Sequence, residues 1–141
     1  MPTRKLRAQA VAAPPAWRVG TDLCSVPEVA SSVARFGDRY LKRVYTDGEL
    51  AYCLEEPTRS AERLAARFAA KEATVKVLRP EGWWPDWRTI EIRRDPGGWC
   101  ELVLCGSAAS LAEASGIVSL AVSVSHEGAM ASAVVLAQVS R

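Results

Sequence analysis

Apolar and polar residues between Arg63 and Leu78 recur with helical spacing. Positions four apart on a helix lie one above another, so Leu64, Phe68, Glu72 and Lys76 form one row. Leu64 and Phe68 turn that row toward a core and leave the Glu72 carboxylate at the edge of an apolar stripe. An unpaired buried carboxylate costs several kcal/mol, comparable to the whole stability of a small domain, so Glu72 requires a cation. Lys76, one turn on, supplies one as an ordinary i,i+4 pair. A metal supplies a stronger one, with Asp22, on a separate apolar segment, as second ligand. The pattern alone leaves both readings open.

The other elements follow from similar signals. Residues 18–23 read as a short apolar strand. Ser25-Val26-Pro27-Glu28 reads as a helix start, with Ser as cap, Pro in the first turn and Glu at the third position. That helix runs to Phe36 and stops at Gly37. Residues 40–45 are apolar and basic. Thr46, with Glu49 three residues later, forms a capping box for a helix ending before Pro57. The main helix spans residues 60–78, and Arg79-Pro80 ends it. Residues 81–87 form a loop dense in Trp, Pro and Gly. Residues 89–93 and 99–104 are strands of a hairpin around Asp95-Pro96-Gly97-Gly98. An Ala-rich helix over 107–114 closes at Gly116, and strands over 118–125 and 130–139 join around Glu127-Gly128. Helices first and strands later describe an α+β domain with an antiparallel sheet.

Composition narrows the classes. A chain of 141 residues is one domain on size grounds. No run of ~18 uncharged apolar residues occurs, which argues against a membrane-spanning helix. The net charge of +2 is too small to argue for nucleic acid as the main partner. Residues 1–16 carry Arg4, Lys5 and Arg7 and no acid. They read as a disordered basic extension before a domain at 17–141, and lack the apolar block of a secretory signal. Cys24, Cys53, Cys100 and Cys105 form no Cys-x-x-Cys pair, and the single histidine is His126. Cys100 and Cys105 lie five apart on a strand and point to opposite faces, against a zinc site or a disulfide framework. Reduced thiols in a cytoplasmic protein are the simplest account.

Arg67-Phe68-Ala69-Ala70-Lys71-Glu72-Ala73, followed by Lys76, resembles the signature helix of holo-acyl-carrier-protein synthases, the small phosphopantetheinyl transferases. Val19-Gly20-Thr21-Asp22-Leu23 resembles the opening strand of that family, with its metal-binding Asp. Tyr45-Thr46-Asp47-Gly48-Glu49-Leu50 resembles its Phe-Thr-x-x-Glu helix start, and Val122-Ser123-Val124-Ser125-His126-Glu127 its Ser-x-Ser-His strand. The matches stand in order over residues 17–139.

The resemblance implies a phosphopantetheinyl transferase-like fold, an antiparallel sheet with the long signature helix packed on it. It further implies Mg²⁺-dependent transfer of 4′-phosphopantetheine from coenzyme A to a serine of an acyl carrier protein, releasing adenosine 3′,5′-bisphosphate. Asp22 and Glu72 inherit the metal, and two hard oxygens suit Mg²⁺, which keeps waters and takes phosphate oxygens. Lys76 inherits a place beside the transferring phosphate. The general base is either a metal-polarised water or Glu72 acting through one. Arg67 either binds phosphate or solvates its helix face. Lys71 faces solvent or the nucleotide phosphates. His126 shares strand parity with Val118, Leu120, Val122 and Val124, and is either a core histidine or a phosphate contact beside Ser125.

Arg35, Arg39 and Arg43 form a basic ridge if helical, which is either a solvated face or a dock for an acidic carrier helix. The family is typically a homotrimer, and the small face of Ser119, Ala121, Ser123 and Ser125 is compatible with that. Its carrier serves fatty acid or polyketide synthesis. Three departures stand out. Val77-Leu78-Arg79-Pro80 replaces the usual Gly-Thr-Gly, and Trp83, Trp84 and Trp87 crowd the next loop, expected to pack on the main helix. Glu28 and Val29 stand where a basic residue is common. The altered loop motivates a second reading, a non-catalytic carrier-binding subunit of the same fold. A serine hydrolase on Ser125 and His126 is poorer, because adjacent strand residues point apart.

Overall fold

In the computed structural model, which describes residues 16–140, five helices and five strands form two antiparallel sheets around one long helix. The basic extension lies outside the described residues except for Ala16, whose carbonyl accepts from the Val139 N–H at 2.8 Å. Strand β1 (Trp17–Ser25) leads into α1 (Val26–Phe36), capped by the Ser25 hydroxyl as expected. Gly37, at φ 55°, breaks the chain before α2 (Asp38–Val44). Thr46 and Glu49 close a full capping box on α3 (Asp47–Cys53). Helix α4 (Ser60–Leu78) has the expected bounds and ends where Arg79 enters the left-handed region. The hairpin of β2 (Ile90–Arg94) and β3 (Cys100–Leu104) precedes α5 (Gly106–Ala114). Strands β4 (Ile117–Glu127) and β5 (Met130–Val139) complete a sheet of order β1-β5-β4.

Two expectations change. Residue 105 lies beyond β3 and precedes α5, so strand parity does not relate it to Cys100. A register shift between Ile117 and Ser119 takes Val118 out of the inward row of β4, where it stands exposed.

The core is thin where α4 crosses the sheet. Ala131, Ala133, Val135 and Ala137 alternate inward along β5, and Ala65, Ala69 and Ala73 of α4 are fully buried against this layer. Gly20 of β1 makes the closest approach. A Cβ on Gly20 would stand 2.1 Å from the Ala73 carbonyl oxygen. The helix backbone, rather than a ligand, therefore occupies the space beside this glycine. Gly20→Ala forces strand and helix apart and should cost about 1–3 kcal/mol, the usual range for overpacking. Denaturant unfolding would measure it, and unchanged stability would mean that β1 and α4 do not meet this closely.

Candidate active site

Asp22 shares the inward face of β1 with Gly20, and Glu72 precedes Ala73 on α4. The contact that requires Gly20 thus brings the two carboxylates together. Lys76 Nζ donates to Asp22 Oδ1 at 3.1 Å and to the Thr21 carbonyl at 2.6 Å. Asp22 Oδ2 is buried with no hydrogen-bond partner among the described residues. Burial, then the neighbouring Asp22 carboxylate, raise the Glu72 carboxyl to about 7, against a smaller opposing pull from Lys76. The row from Leu64 to Lys76 therefore climbs from core to surface. Leu64 is buried, Phe68 and Glu72 are half-buried, and Lys76 is exposed.

Two facing carboxylates, one with an orphaned oxygen, fit a divalent cation better than they fit one lysine. Among the described residues no three His, Cys, Asp or Glu side chains gather as a metal cage. A two-carboxylate site of this kind suits an ion such as Mg²⁺, which keeps waters and shares a substrate's phosphate oxygens.

Lys71 does not join this cluster, nor does it face solvent. It is fully buried and pairs with Glu49 Oε1 at 2.7 Å. Its Nζ also donates to the carbonyls of Trp87, at 2.9 Å, and Ile90. Burial lowers the Lys71 pKa, and Glu49 opposes the fall. Glu49 in turn accepts from the backbone N–H groups of Thr46 and Ile92. This pair locks α3, β2 and the Trp-rich loop to α4, so Lys71 is structural. Sequence reasoning found Glu49 only as a cap, because its second partner lies 22 residues away and is visible only in three dimensions.

Arg67 and His126 meet on the opposite flank of α4. Arg67 is buried, which removes the reading of a solvated helix face, and its guanidinium lies 4.3 Å from the Tyr52 ring centroid. Arg63 stacks on that ring at the same distance, and Arg94 at 5.6 Å donates to the Tyr52 hydroxyl. Neither Arg63 Nε nor Arg67 Nε finds an acceptor among the described residues. Together with Arg59 and His126 these groups line a cationic pocket. His126 is no core histidine. It is exposed, and its Nε2 lies 2.8 Å from Glu62 Oε1. Ser125 points to the other face of β4 and bonds the Ser132 hydroxyl at 3.1 Å, away from His126. Tyr52, Arg63 and Glu62 were not singled out from the sequence. The spacing of Arg59, Arg63 and Arg67 by fours was the available signal for part of this pocket.

Arg35, Arg39 and Arg43 do not form one helical ridge, because the Gly37 break puts Arg35 on α1 and the other two on α2. All three are exposed. In the Trp-rich loop, Trp87 packs on Phe68 with centroids 5.3 Å apart, as expected, while Trp83 and Trp84 stay exposed.

Residues 18–131 match the family described as the 4′-phosphopantetheinyl transferase superfamily. A protein of Koribacter versatilis named holo-[acyl-carrier-protein] synthase is 43% identical over 109 residues, covering 76% of this chain and 86% of its own. The solved ACPS–CoA complex of Chronobacterium ammoniagenes superposes with a TM-score of 0.79 at 33% identity, covering 90% of this chain and 100% of its own. The holo-[acyl-carrier-protein] synthase of Helicobacter pylori in complex with coenzyme A gives a TM-score of 0.74 at 27% identity, covering 86% of this chain and 100% of its own.

The raised Glu72 carboxyl has a consequence for stability. Between its ordinary value of 4.5 and about 7, the folded chain holds a proton at Glu72 that the unfolded chain has released. Stability therefore falls as pH rises through this window. In metal-free buffer, Glu72→Gln should remove that fall. Denaturant unfolding of both proteins at pH 5 and 7.5 should show the difference, and parallel pH profiles would contradict it.

Proposed function

Because the chain belongs to the 4′-phosphopantetheinyl transferase superfamily, we propose that it transfers 4′-phosphopantetheine from coenzyme A to a serine of an acyl carrier protein. The serine hydroxyl yields its proton to a base at the site, for which Glu72 acting through a water is a candidate, and its oxygen forms a new bond to the phosphorus that bears pantetheine. The pyrophosphate P–O bond breaks, and adenosine 3′,5′-bisphosphate leaves. Such reactions depend on positioning and on neutralising oxygen charge in an in-line geometry. The observation that carries the reading is the convergence of Asp22, Glu72 and Lys76 at the β1–α4 contact. Asp22 and Glu72 would hold Mg²⁺, which would supply neutralisation of the pyrophosphate oxygens. Lys76, anchored by the Thr21 carbonyl and Asp22, keeps an exposed ammonium at the same place for a phosphate oxygen. Arg67 and His126 bind a further phosphate of coenzyme A, a role supported by the unpartnered guanidinium nitrogens of their pocket. Glu62 must then release His126. The chain's partners on this reading are coenzyme A and a carrier of fatty acid or polyketide synthesis. The four free cysteines fit a cytoplasmic location, and no helix of the described residues is long and apolar enough to cross a membrane.

The same reading includes a homotrimer with active sites at subunit boundaries. The metal cluster and the cationic pocket stand on opposite flanks of α4 in one chain, which suits sites completed by a neighbour. The outer face of the β1-β5-β4 sheet exposes Trp17, Val19, Leu23, Val134 and Leu136, an apolar patch that a lone domain rarely leaves in water.

Asp22→Ala and Glu72→Ala should each abolish transfer, read by the mass of an apo carrier protein after incubation with coenzyme A and Mg²⁺, while both proteins stay folded. Full activity in either one would remove the metal assignment. Transfer by neither the parent nor the variants, with carrier still bound, would favour the non-catalytic subunit. Val134→Glu should reduce the mass seen by light scattering from a trimer to a monomer; an unchanged mass would place the subunit contact elsewhere.

A further inference from the structure

Trp84 is 65% exposed and Trp83 47% exposed, and Trp84 rests on an aromatic base. Trp84 packs on Trp87 at a tilt of 57° with centroids 5.9 Å apart, and Trp87 on Phe68 at 56° and 5.3 Å. Pro85, between the indoles, is buried. The Trp87 carbonyl is held by the buried Lys71 ammonium, and the Asp86 carboxylate accepts from the Arg88 N–H at 2.8 Å. Large apolar rings held in water on an ordered base have the character of a binding hot spot, in which Trp and Arg are enriched.

Two neighbours indicate what binds. Helix α2 packs against the turn at Trp87–Thr89 and carries the exposed cations Arg39, Lys42 and Arg43. Phe68, at the foot of the aromatic stack, lies one helical turn before Glu72. A partner that is acidic, presents an apolar side chain and must bring a hydroxyl to Glu72 fits both. An acidic amphipathic helix of a carrier protein meets that description. We propose that Trp83 and Trp84 form an apolar anchor for the carrier protein, beside the cationic face of α2. This rests on the transferase reading for the identity of the partner. It moves the carrier's main grip from a row of arginines along α1 and α2 to the junction of α2 with the aromatic loop. Charge steers the encounter and the indoles hold the complex.

The test uses the full chain, Trp84→Ala, Trp83→Ala and Trp84→Phe, with the apo acyl carrier protein of a bacterial fatty acid synthase. Trp84→Ala should raise the KM for carrier about tenfold, the effect of losing one hot-spot side chain. Trp83→Ala should act in the same direction, and Trp84→Phe should recover part of the loss. Calorimetric affinity for coenzyme A and the mass by light scattering should not move. An unchanged carrier KM overturns the proposal. So does a selective loss of coenzyme A affinity, which would assign the indoles to adenine, or a changed mass, which would assign them to a neighbouring subunit. If the unaltered protein transfers nothing, the transferase reading fails and carrier binding by calorimetry decides the anchor. Tight binding lost in Trp84→Ala supports it, and no binding by the unaltered protein overturns it.

Discussion

The close seat of α4 on the sheet is the constraint from which the site follows. Around the crossing of helix and sheet the layer is mostly alanine, with one glycine, so the two backbones approach until Gly20 faces the Ala73 carbonyl. Larger residues at this layer would add apolar burial, but they would also lift the helix. Asp22 and Glu72 are the carboxylates next to the contact on each element. Neither element alone gathers two carboxylates. Their pairing is a product of packing distance, and burial together with the Asp22 carboxylate raises the Glu72 carboxyl.

A second device fixes the other direction. The buried Glu49–Lys71 pair binds α3, the hairpin and the Trp-rich loop to the helix through four hydrogen-bonded backbone groups. Removing one partner of such a pair typically costs about 3–5 kcal/mol, because the other is left buried and charged. With sheet on one side and this pair on another, α4 presents a carboxylate cluster on one flank and a cationic pocket on the other.

Much of this was legible in the chain. The bounds of α4, the Ser25 cap and the Thr46–Glu49 capping box depend on neighbours a few residues apart, and local spacing reveals them. The convergence of Asp22, Glu72 and Lys76 followed from row and strand parity together with the family resemblance. The failures were long-range. Lys71 reads as exposed because nothing near it in sequence is an acid except Glu72, whereas its partner is Glu49. Of the two readings of His126, the core one falls, because the imidazole stands exposed at the end of β4 and pairs there with Glu62 of α4. The arginine ridge requires a single helix, and the break at Gly37, already marked in the sequence, divides it. Ser125, next to His126 in the motif, is separated from it by the pleat of the strand.

On the proposed reading, the β1–α4 contact builds a divalent-cation site from one carboxylate on each element. Electron paramagnetic resonance of Mn²⁺, titrated into the protein with coenzyme A present, counts bound metal directly and independently of turnover. One site per chain is expected in the unaltered protein, and that site should be lost in both Asp22→Asn and Glu72→Gln. Full Mn²⁺ binding in either variant would contradict it.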